Sequence, residues 1–96
     1  MRDAESTTRE RIHDRLRTAA ATPSALAEEF DVTAAVATDH VRHVARSLEH
    51  ADEQLLVAPP ECVDCGFSDF DDLLNRPSRC PDCRSESVHE PRVRVD

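Results

Sequence analysis

Four cysteines are the residues whose type and spacing point most directly to chemistry. They form two Cys-x-x-Cys pairs separated by fourteen residues, and they are the only thiols in a chain of 96 residues: Cys62, Cys65, Cys80 and Cys83. Together the pairs can place four thiolates at the corners of a tetrahedron, which Zn²⁺ accepts at Zn–S distances of about 2.3 Å. All four positions are filled by protein, which leaves none for a catalytic water. We therefore predict one structural Zn²⁺ ion.

Two alternatives to zinc use the same four residues. Paired disulfides suit an oxidising compartment, but the first twenty residues contain no secretory signal, so we expect a cytoplasmic protein with reduced thiols. Iron also accepts four sulfurs, and the strings CVDCG and CPDC resemble rubredoxin knuckles. The sequence lacks the aromatic packing expected around a redox iron. Zinc is therefore preferred, and an iron electron carrier stays the lesser alternative.

The remaining titratable residues do not form a recognisable catalytic set. There is no nucleophile with a paired base, no phosphate loop and no general-acid carboxylate pair, so we expect no enzyme activity. His40 and His43 have a spacing that could share a metal, but four cysteines already complete one site. The acidic string Asp69, Asp71 and Asp72 is better explained as a solvated loop than as a cation site.

Three helices are predicted ahead of the cysteines. The first covers Thr8–Ala20 and starts at a capping box formed by Thr7 and Glu10. The second lies in TPSALAEEF, where proline suits the first helical position. A three-residue turn then leads to a longer helix over roughly Ala34–His50. This succession is the order of a helix-turn-helix unit, whose last helix enters the DNA major groove.

The polar face of the third helix would carry the contacts to bases. Arg42 is the best candidate for a guanine contact, because a guanidinium can bond to O6 and N7 together. Its neighbours on that face are Thr38, Asp39, His43 and Arg46. The alternative is a three-helix packing unit whose outer face is only solvated.

Short strands are predicted on either side of the cysteines. Gln54–Ala58 is an apolar run that ends at two prolines. Val88–Val95 alternates valine with polar residues, and Pro91 either confines it to a sheet edge or breaks it in two. We expect its last four residues to pair with the first strand and to complete a wing. That pairing would put Arg92 and Arg94 near DNA.

The charge pattern is acidic and contains no lysine. All twelve basic residues are arginines, and the formal net charge is −8. A GC-rich genome alone would favour arginine over lysine, but the excess of acidic residues is typical of proteins from salt-loving archaea. Residues 1–58 carry seven arginines and eleven acidic residues, a net charge of −4, whereas DNA-binding domains are usually basic. In molar salt phosphate attraction is heavily screened, so a few well-placed arginines would have to provide the contacts.

The chain as a whole resembles a family of predicted archaeal transcriptional regulators in which a winged-helix-type helix-turn-helix domain is fused to a zinc ribbon. The resemblance covers roughly Ala20–Val95 and is carried by TPSALAEEF, HVRHVARSLEH, LLVAPPEC, CVDCGF and PSRCPDCRSE. It implies DNA binding through the helices and zinc held by the four cysteines. The acidic residues between the knuckles depart from what a DNA-contacting ribbon would prefer.

We therefore predict an α+β protein with a winged-helix-type domain of three helices in residues 1–58. A small β zinc ribbon with a C-terminal strand would follow in residues 59–96. The predicted function is a DNA-binding transcriptional regulator that binds double-stranded DNA as a homodimer, because operators are often two-fold. No apolar run is long enough to span a bilayer, so no membrane association is expected. In the alternative, the ribbon docks on a transcription-machinery protein and the helices never read bases.

Overall fold

The computed structural model describes residues 3–74 and 77–96. Its N-terminal part contains three helices: α1 (Asp3–Thr18), α2 (Pro23–Phe30) and α3 (Ala34–Ser47). The hydroxyl of Thr22 accepts from the Ala25 N–H, and that of Thr33 from the Val36 N–H, each at 3.1 Å. These N-caps satisfy backbone donors that the first helical turn leaves unpaired, and they fix where α2 and α3 begin.

Three helix boundaries differ from the prediction. Helix α1 begins at Asp3, so the predicted start at Thr8 is wrong and Thr7 lies inside the helix; it ends at Thr18, two residues before the predicted end at Ala20. Residues 3–6 are polar or small and carry no helical apolar spacing, which hid this first turn in the sequence. Helix α3 ends at Ser47, three residues early, because Leu48 serves as its C-cap and its N–H bonds back to the last carbonyls.

The apolar faces of the helices meet in one core. Ile12, Leu16 and Leu26 are completely buried there. From α3 the core receives Ala37, Val41 and Val44. Val93 and Val95, from the far end of the sequence, complete it. The C-terminal residues thus belong to the same hydrophobic core as the helices.

In the part of the chain that the structure describes, four short strands follow the helices: β1 (Leu55–Ala58), β2 (Glu61–Cys62), β3 (Val88–His89) and β4 (Arg92–Val95). β1 pairs antiparallel with β4, with Leu55 opposite Val95, which confirms the predicted pairing of the last four residues with the first strand. β2 pairs antiparallel with β3. Ala21, just before α2, exchanges two backbone hydrogen bonds of 2.9 Å with Val93. The α+β class is therefore as predicted.

The cysteine-containing segment is inserted between the two strands of one hairpin. The chain leaves the helices through β1, forms residues 59–91, which we term the ribbon, and returns through β4. Pro60 and Pro91 are buried where the ribbon joins the hairpin. Pro91 separates β3 from β4, so the predicted single alternating run is broken in two there. We refer to α1–α3 with β1 and β4 as the helical unit.

None of the helices in residues 3–74 and 77–96 has the length and apolar character needed to cross a membrane.

Candidate metal centre and nucleic-acid interface

The two Cys-x-x-Cys turns have the same backbone construction. In the first, the Gly66 N–H donates to the Cys62 carbonyl at 2.9 Å; in the second, the Arg84 N–H donates to the Cys80 carbonyl at 2.9 Å. Gly66 and Arg84 both have a positive φ, 79° and 66°. Such a left-handed residue turns the chain sharply after each pair, which glycine does without strain. The repeated geometry lets each turn present both of its sulfurs to one point.

The four sulfurs converge on one small volume. Cys62 and Cys83 bring their Sγ atoms to 3.6 Å, and so do Cys65 and Cys80. All four sulfurs lie within 4.8 Å of one another. A regular tetrahedron with Zn–S bonds of 2.3 Å would have sulfurs about 3.8 Å apart. The four predicted ligands are therefore assembled at a spacing that fits a tetrahedral metal ion.

The ionisation of the thiols also fits a cation. The backbone N–H of Cys65 lowers the pKa of the Cys62 thiol to about 7. At Cys65 the Phe67 backbone N–H acts to lower the pKa, but burial and the neighbouring Cys83 sulfur outweigh it, and the pKa rises to about 12. One thiolate in the cluster thus opposes the ionisation of the next. A bound cation removes this conflict, because it holds all four sulfurs as thiolates.

Two phenylalanines pack against the metal centre. Phe67 and Phe70 contact the small core formed by Cys62, Cys80 and Val88. Their rings meet edge to face, with centroids 5.0 Å apart and an interplanar angle of 89°. The sequence-based argument against iron, that aromatic packing is lacking, is therefore wrong. Phe70 lies five residues beyond the first pair and gave no local signal that its ring would turn back onto the cysteines.

Helix α3 presents one buried and one polar face. Ala37, His40, Val41 and Val44 are buried against the other helices. Of the five predicted DNA contacts on α3, Asp39, His43 and Arg46 are exposed. Thr38 and Arg42 are partly covered. Thr38, Asp39 and Arg42 line an open cleft of about 500 Å³ together with Ser24 at the start of α2. The cleft therefore lies on the α2–α3 surface, where both helices begin.

Arg42 is engaged by the ribbon. Its Nη2 donates to Oδ2 of Asp72 at 2.6 Å, and both side chains keep some exposure, 37% for Arg42 and 47% for Asp72. The Arg42 guanidinium lowers the pKa of the Asp72 carboxyl. Oδ1 of Asp72 accepts the Leu74 N–H at 3.1 Å, and Leu74 packs against the core of the helical unit. The segment between the knuckles is thus folded back onto α3.

A second ribbon carboxylate reaches α2. Oε1 of Glu90 accepts the backbone N–H of Ser24 at 3.0 Å. This N–H is one of the donors that the first turn of a helix leaves unpaired. Glu90 also lines the α2–α3 cleft. This contact could not be predicted from the sequence, because the two residues are 66 positions apart and neither belongs to a motif.

Arg92 and Arg94 lie on the exposed side of β4. Their alternation with the buried Val93 and Val95 follows from the two-residue period of a strand. Arg92 lines a second cleft with Thr22 and Glu90, next to the start of α2. Arg94 lies on the outer face of the hairpin with Leu56. The structure thus brings Arg92, but not Arg94, beside residues that flank the α2–α3 cleft.

The other candidate ligands do not assemble into a second centre. His40 is buried within the core face of α3, whereas His43 is exposed. Among the described residues, the four cysteines are the only group of His, Cys, Asp or Glu side chains close enough to share a metal ion. Asp69 and Asp71 stay exposed in the segment between the knuckles.

The fold and the site define a class of protein in which a three-helix unit carries a four-cysteine metal ribbon between the strands of a hairpin. Residues 7–56 match the family model described as PF0610-like, N-terminal, and residues 59–96 match the model described as PF0610 rubredoxin-like zinc beta-ribbon domain. The chain belongs to the PF0610-like family.

A solved structure supports this assignment. The solution NMR structure of protein PF0610 from Pyrococcus furiosus is 33% identical in sequence, with a TM-score of 0.81. The match covers 95% of this chain and 90% of PF0610. A search of curated proteins gave no significant match.

Proposed function

We propose that this protein is a transcriptional regulator that binds double-stranded DNA through the α2–α3 surface. The observation that carries the proposal is the arrangement of α2 and α3. Two N-capped helices are separated by residues 31–33, and the second buries one face while Asp39, His43 and Arg46 are exposed on its polar face. This is the order and exposure of a winged-helix-type helix-turn-helix, in which the second of these helices reads the major groove.

In this proposal, α3 contacts the DNA bases. Arg42 supplies the principal contact, with Thr38, Asp39, His43 and Arg46 as its neighbours. Arg92 lies beside the start of α2 and contacts the DNA backbone, and Arg94 extends this contact along the hairpin. The protein acts by binding rather than by catalysis, in the cytoplasm, and a homodimer would match a two-fold operator.

We propose that the metal is one structural Zn²⁺ ion. The description of the matching family as a zinc ribbon supports zinc, as does the closed four-cysteine ligand set. When bound, the ion cross-links the two knuckles and stabilises a ribbon whose own core is small. Iron in the same four sulfurs would give a coloured protein, whereas the zinc protein is colourless, so an absorption spectrum and elemental analysis distinguish the two.

The test of DNA reading is selection from random duplexes by the metal-loaded protein. It uses concentrated KCl, since the acidic, lysine-free composition is typical of salt-loving archaea. We expect a recovered motif that Arg42→Ala loses. Arg15→Ala is the matched control, because Arg15 on α1 also holds an exposed ion pair, to Glu29 at 3.0 Å. A folded, metal-loaded protein that enriches no sequence would contradict the proposal.

A second candidate is an adaptor in which the ribbon docks on a transcription-machinery protein. The ion pair between Arg42 and Asp72 favours it, because the principal candidate for reading bases already has a partner. The two candidates differ in the selection experiment. An adaptor enriches no DNA, and Arg42→Ala leaves its binding to the protein partner unchanged.

A further inference from the structure

We propose that the ribbon blocks the DNA-binding surface of its own chain, with two carboxylates that take the places of DNA groups. The inference rests on the proposed DNA-binding function and concerns the regulation of that surface. Asp72 holds Arg42 of α3, and Glu90 holds the backbone N–H of Ser24 at the start of α2. DNA must displace both carboxylates before it can use the donors beneath them.

The first contact involves the arginine proposed to read bases. Asp72 Oδ2 accepts from Arg42 Nη2 at 2.6 Å, so this donor is not available to guanine. Both oxygens of the Asp72 carboxylate accept hydrogen bonds. Its Oδ1 accepts the N–H of Leu74, and the Leu74 side chain packs on the helical core. Asp72 is therefore positioned by its own backbone turn rather than by its attraction to Arg42 alone.

The second contact involves the start of α2. In DNA-bound helix-turn-helix proteins, helix N-termini and backbone N–H groups contact phosphate oxygens. Here a carboxylate oxygen of Glu90 accepts the Ser24 N–H at 3.0 Å. A carboxylate offers the same charge-assisted hydrogen bond that a phosphate oxygen would offer. Glu90 thus occupies the place where, in this proposal, a DNA phosphate oxygen would accept the same N–H.

The two contacts lie on one cleft. Ser24, Thr38, Arg42 and Glu90 all line the opening of about 500 Å³ on the α2–α3 surface. Both carboxylates come from the ribbon, Asp72 from between the knuckles and Glu90 from just after β3. A single displacement of the ribbon from the helices would release both groups. An exposed ion pair shifts an equilibrium by roughly two- to fivefold, so Asp72 should weaken DNA binding by about that factor. We expect a similar factor from Glu90, because a net hydrogen bond contributes a free energy of about the same size.

The test compares the DNA affinity of charge-neutralised variants in the metal-loaded full chain. Asp72→Asn removes the charge and keeps Oδ1 as an acceptor for Leu74, so the local turn is preserved. Glu90→Gln removes the charge next to Ser24. The probes are a fluorescent duplex recovered by selection and the starting random pool, in one fixed KCl concentration, because affinity depends strongly on salt.

Matched variants separate the specific contacts from a general loss of negative charge. Asp71→Asn is the control for Asp72→Asn, since Asp71 is the exposed neighbouring carboxylate and its replacement removes the same charge. Glu86→Gln is the control for Glu90→Gln, because Glu86 pairs with Arg79 within the ribbon, at 3.5 Å, and not with the helices. Metal content and the thermal unfolding midpoint verify that each variant is folded.

We expect Asp72→Asn and Glu90→Gln each to raise the affinity about two- to fivefold more than its control, and the double variant to raise it further. If the wild-type protein binds DNA and the two variants gain no more than their controls, the self-blocking is disproved while the DNA-binding function stands. If neither the wild type nor the double variant binds any duplex, the DNA-binding function is disproved and the self-blocking with it.

Discussion

At the scale of single residues, the two Cys-x-x-Cys turns share one backbone geometry but have different residue types at the equivalent position. Gly66 and Arg84 occupy equivalent positions with positive φ. Glycine adopts this conformation freely, whereas a residue with a side chain pays roughly 1–2 kcal/mol. The spacing of the cysteines was sufficient to predict the ligand set. The spacing could not predict that Arg84 would adopt a left-handed conformation. That conformation becomes expected only when the second turn is compared with the first, where Gly66 occupies the same position.

The N-cap of α3 is a residue whose contribution can be measured. Thr33→Ala removes the hydroxyl that accepts from the Val36 N–H, and we expect it to lower the free energy of unfolding by about 1 kcal/mol. Chemical denaturation of the metal-loaded protein measures this change.

Thr7→Ala is the control for the cap. Thr7 lies inside α1 and is exposed, so its replacement by a good helix former should leave stability unchanged or slightly raised. A loss as large as that of Thr33→Ala would mean that α1 begins at Thr7 after all.

Glu53 provides a prediction about pH. Arg17 hydrogen-bonds its carboxylate, assisted by His13, and lowers its pKa from 4.5 to about 2. Because the folded-state pKa lies below the unfolded value, the stabilisation is complete above about pH 4.5 and is lost as the pH falls towards 2. We expect the stability difference between wild type and Glu53→Gln to be constant at neutral pH and to shrink over that acidic range. A difference that stays constant down to about pH 2 would contradict the pairing of Glu53 with Arg17.

At the scale of elements, β4 links the end of the chain to the helices. Val93 is 1% exposed, belongs to the helical core and exchanges two hydrogen bonds with Ala21. Val93→Ala removes two buried methyl groups, so we expect the free energy of unfolding to fall by about 2 kcal/mol. Urea denaturation followed by helical circular dichroism measures the loss.

Leu56→Ala is the control for Val93→Ala, because it truncates an apolar side chain outside the helical core. Leu56 lies on the outer face of β1 and is 41% exposed, so its truncation should cost less than about 0.5 kcal/mol. Equal losses at the two positions would show that the C-terminal strand does not share the helical core.

The elements were predictable to different degrees. Helices α2 and α3 carry capping residues and a regular apolar face, so their starts were found from sequence. β2 and β3 have two residues each, which is too short for any period to be visible. The contacts of Asp72 with Arg42 and of Glu90 with Ser24 join residues 30 and 66 positions apart, and they depend on how the ribbon folds back. The local sequence pattern around each residue does not indicate that the ribbon packs against α2 and α3.

At the scale of the whole molecule, two hydrophobic clusters of different size determine how stability is divided. Among the residues that the structure describes, the cluster of the helical unit contains ten buried residues, whereas that of the ribbon contains three, two of which are cysteines. We therefore expect the ribbon to depend on a bound metal for folding far more than the helices do.

Metal removal should separate the two clusters. With a strong chelator, we expect backbone amides from Cys62 to Cys83 to lose their chemical-shift dispersion, while the helical circular dichroism signal largely persists. Adding back about one equivalent of Zn²⁺ should restore the spectrum. Unfolding of the helices together with the ribbon would show that the helical unit also needs the metal for its stability. A ribbon spectrum unchanged by the chelator would show that the metal is not structural.

NMR titration of the ¹⁵N-labelled, metal-loaded protein with duplex DNA is the direct test of the proposed DNA binding on the α2–α3 surface. We expect the largest chemical-shift changes at the Ser24 amide and in residues 38–46 of α3. We also expect changes at Asp72 and Glu90 as their carboxylates are displaced. Changes confined to the exposed surface of the ribbon, or no changes in folded protein at any DNA concentration, would contradict the proposal.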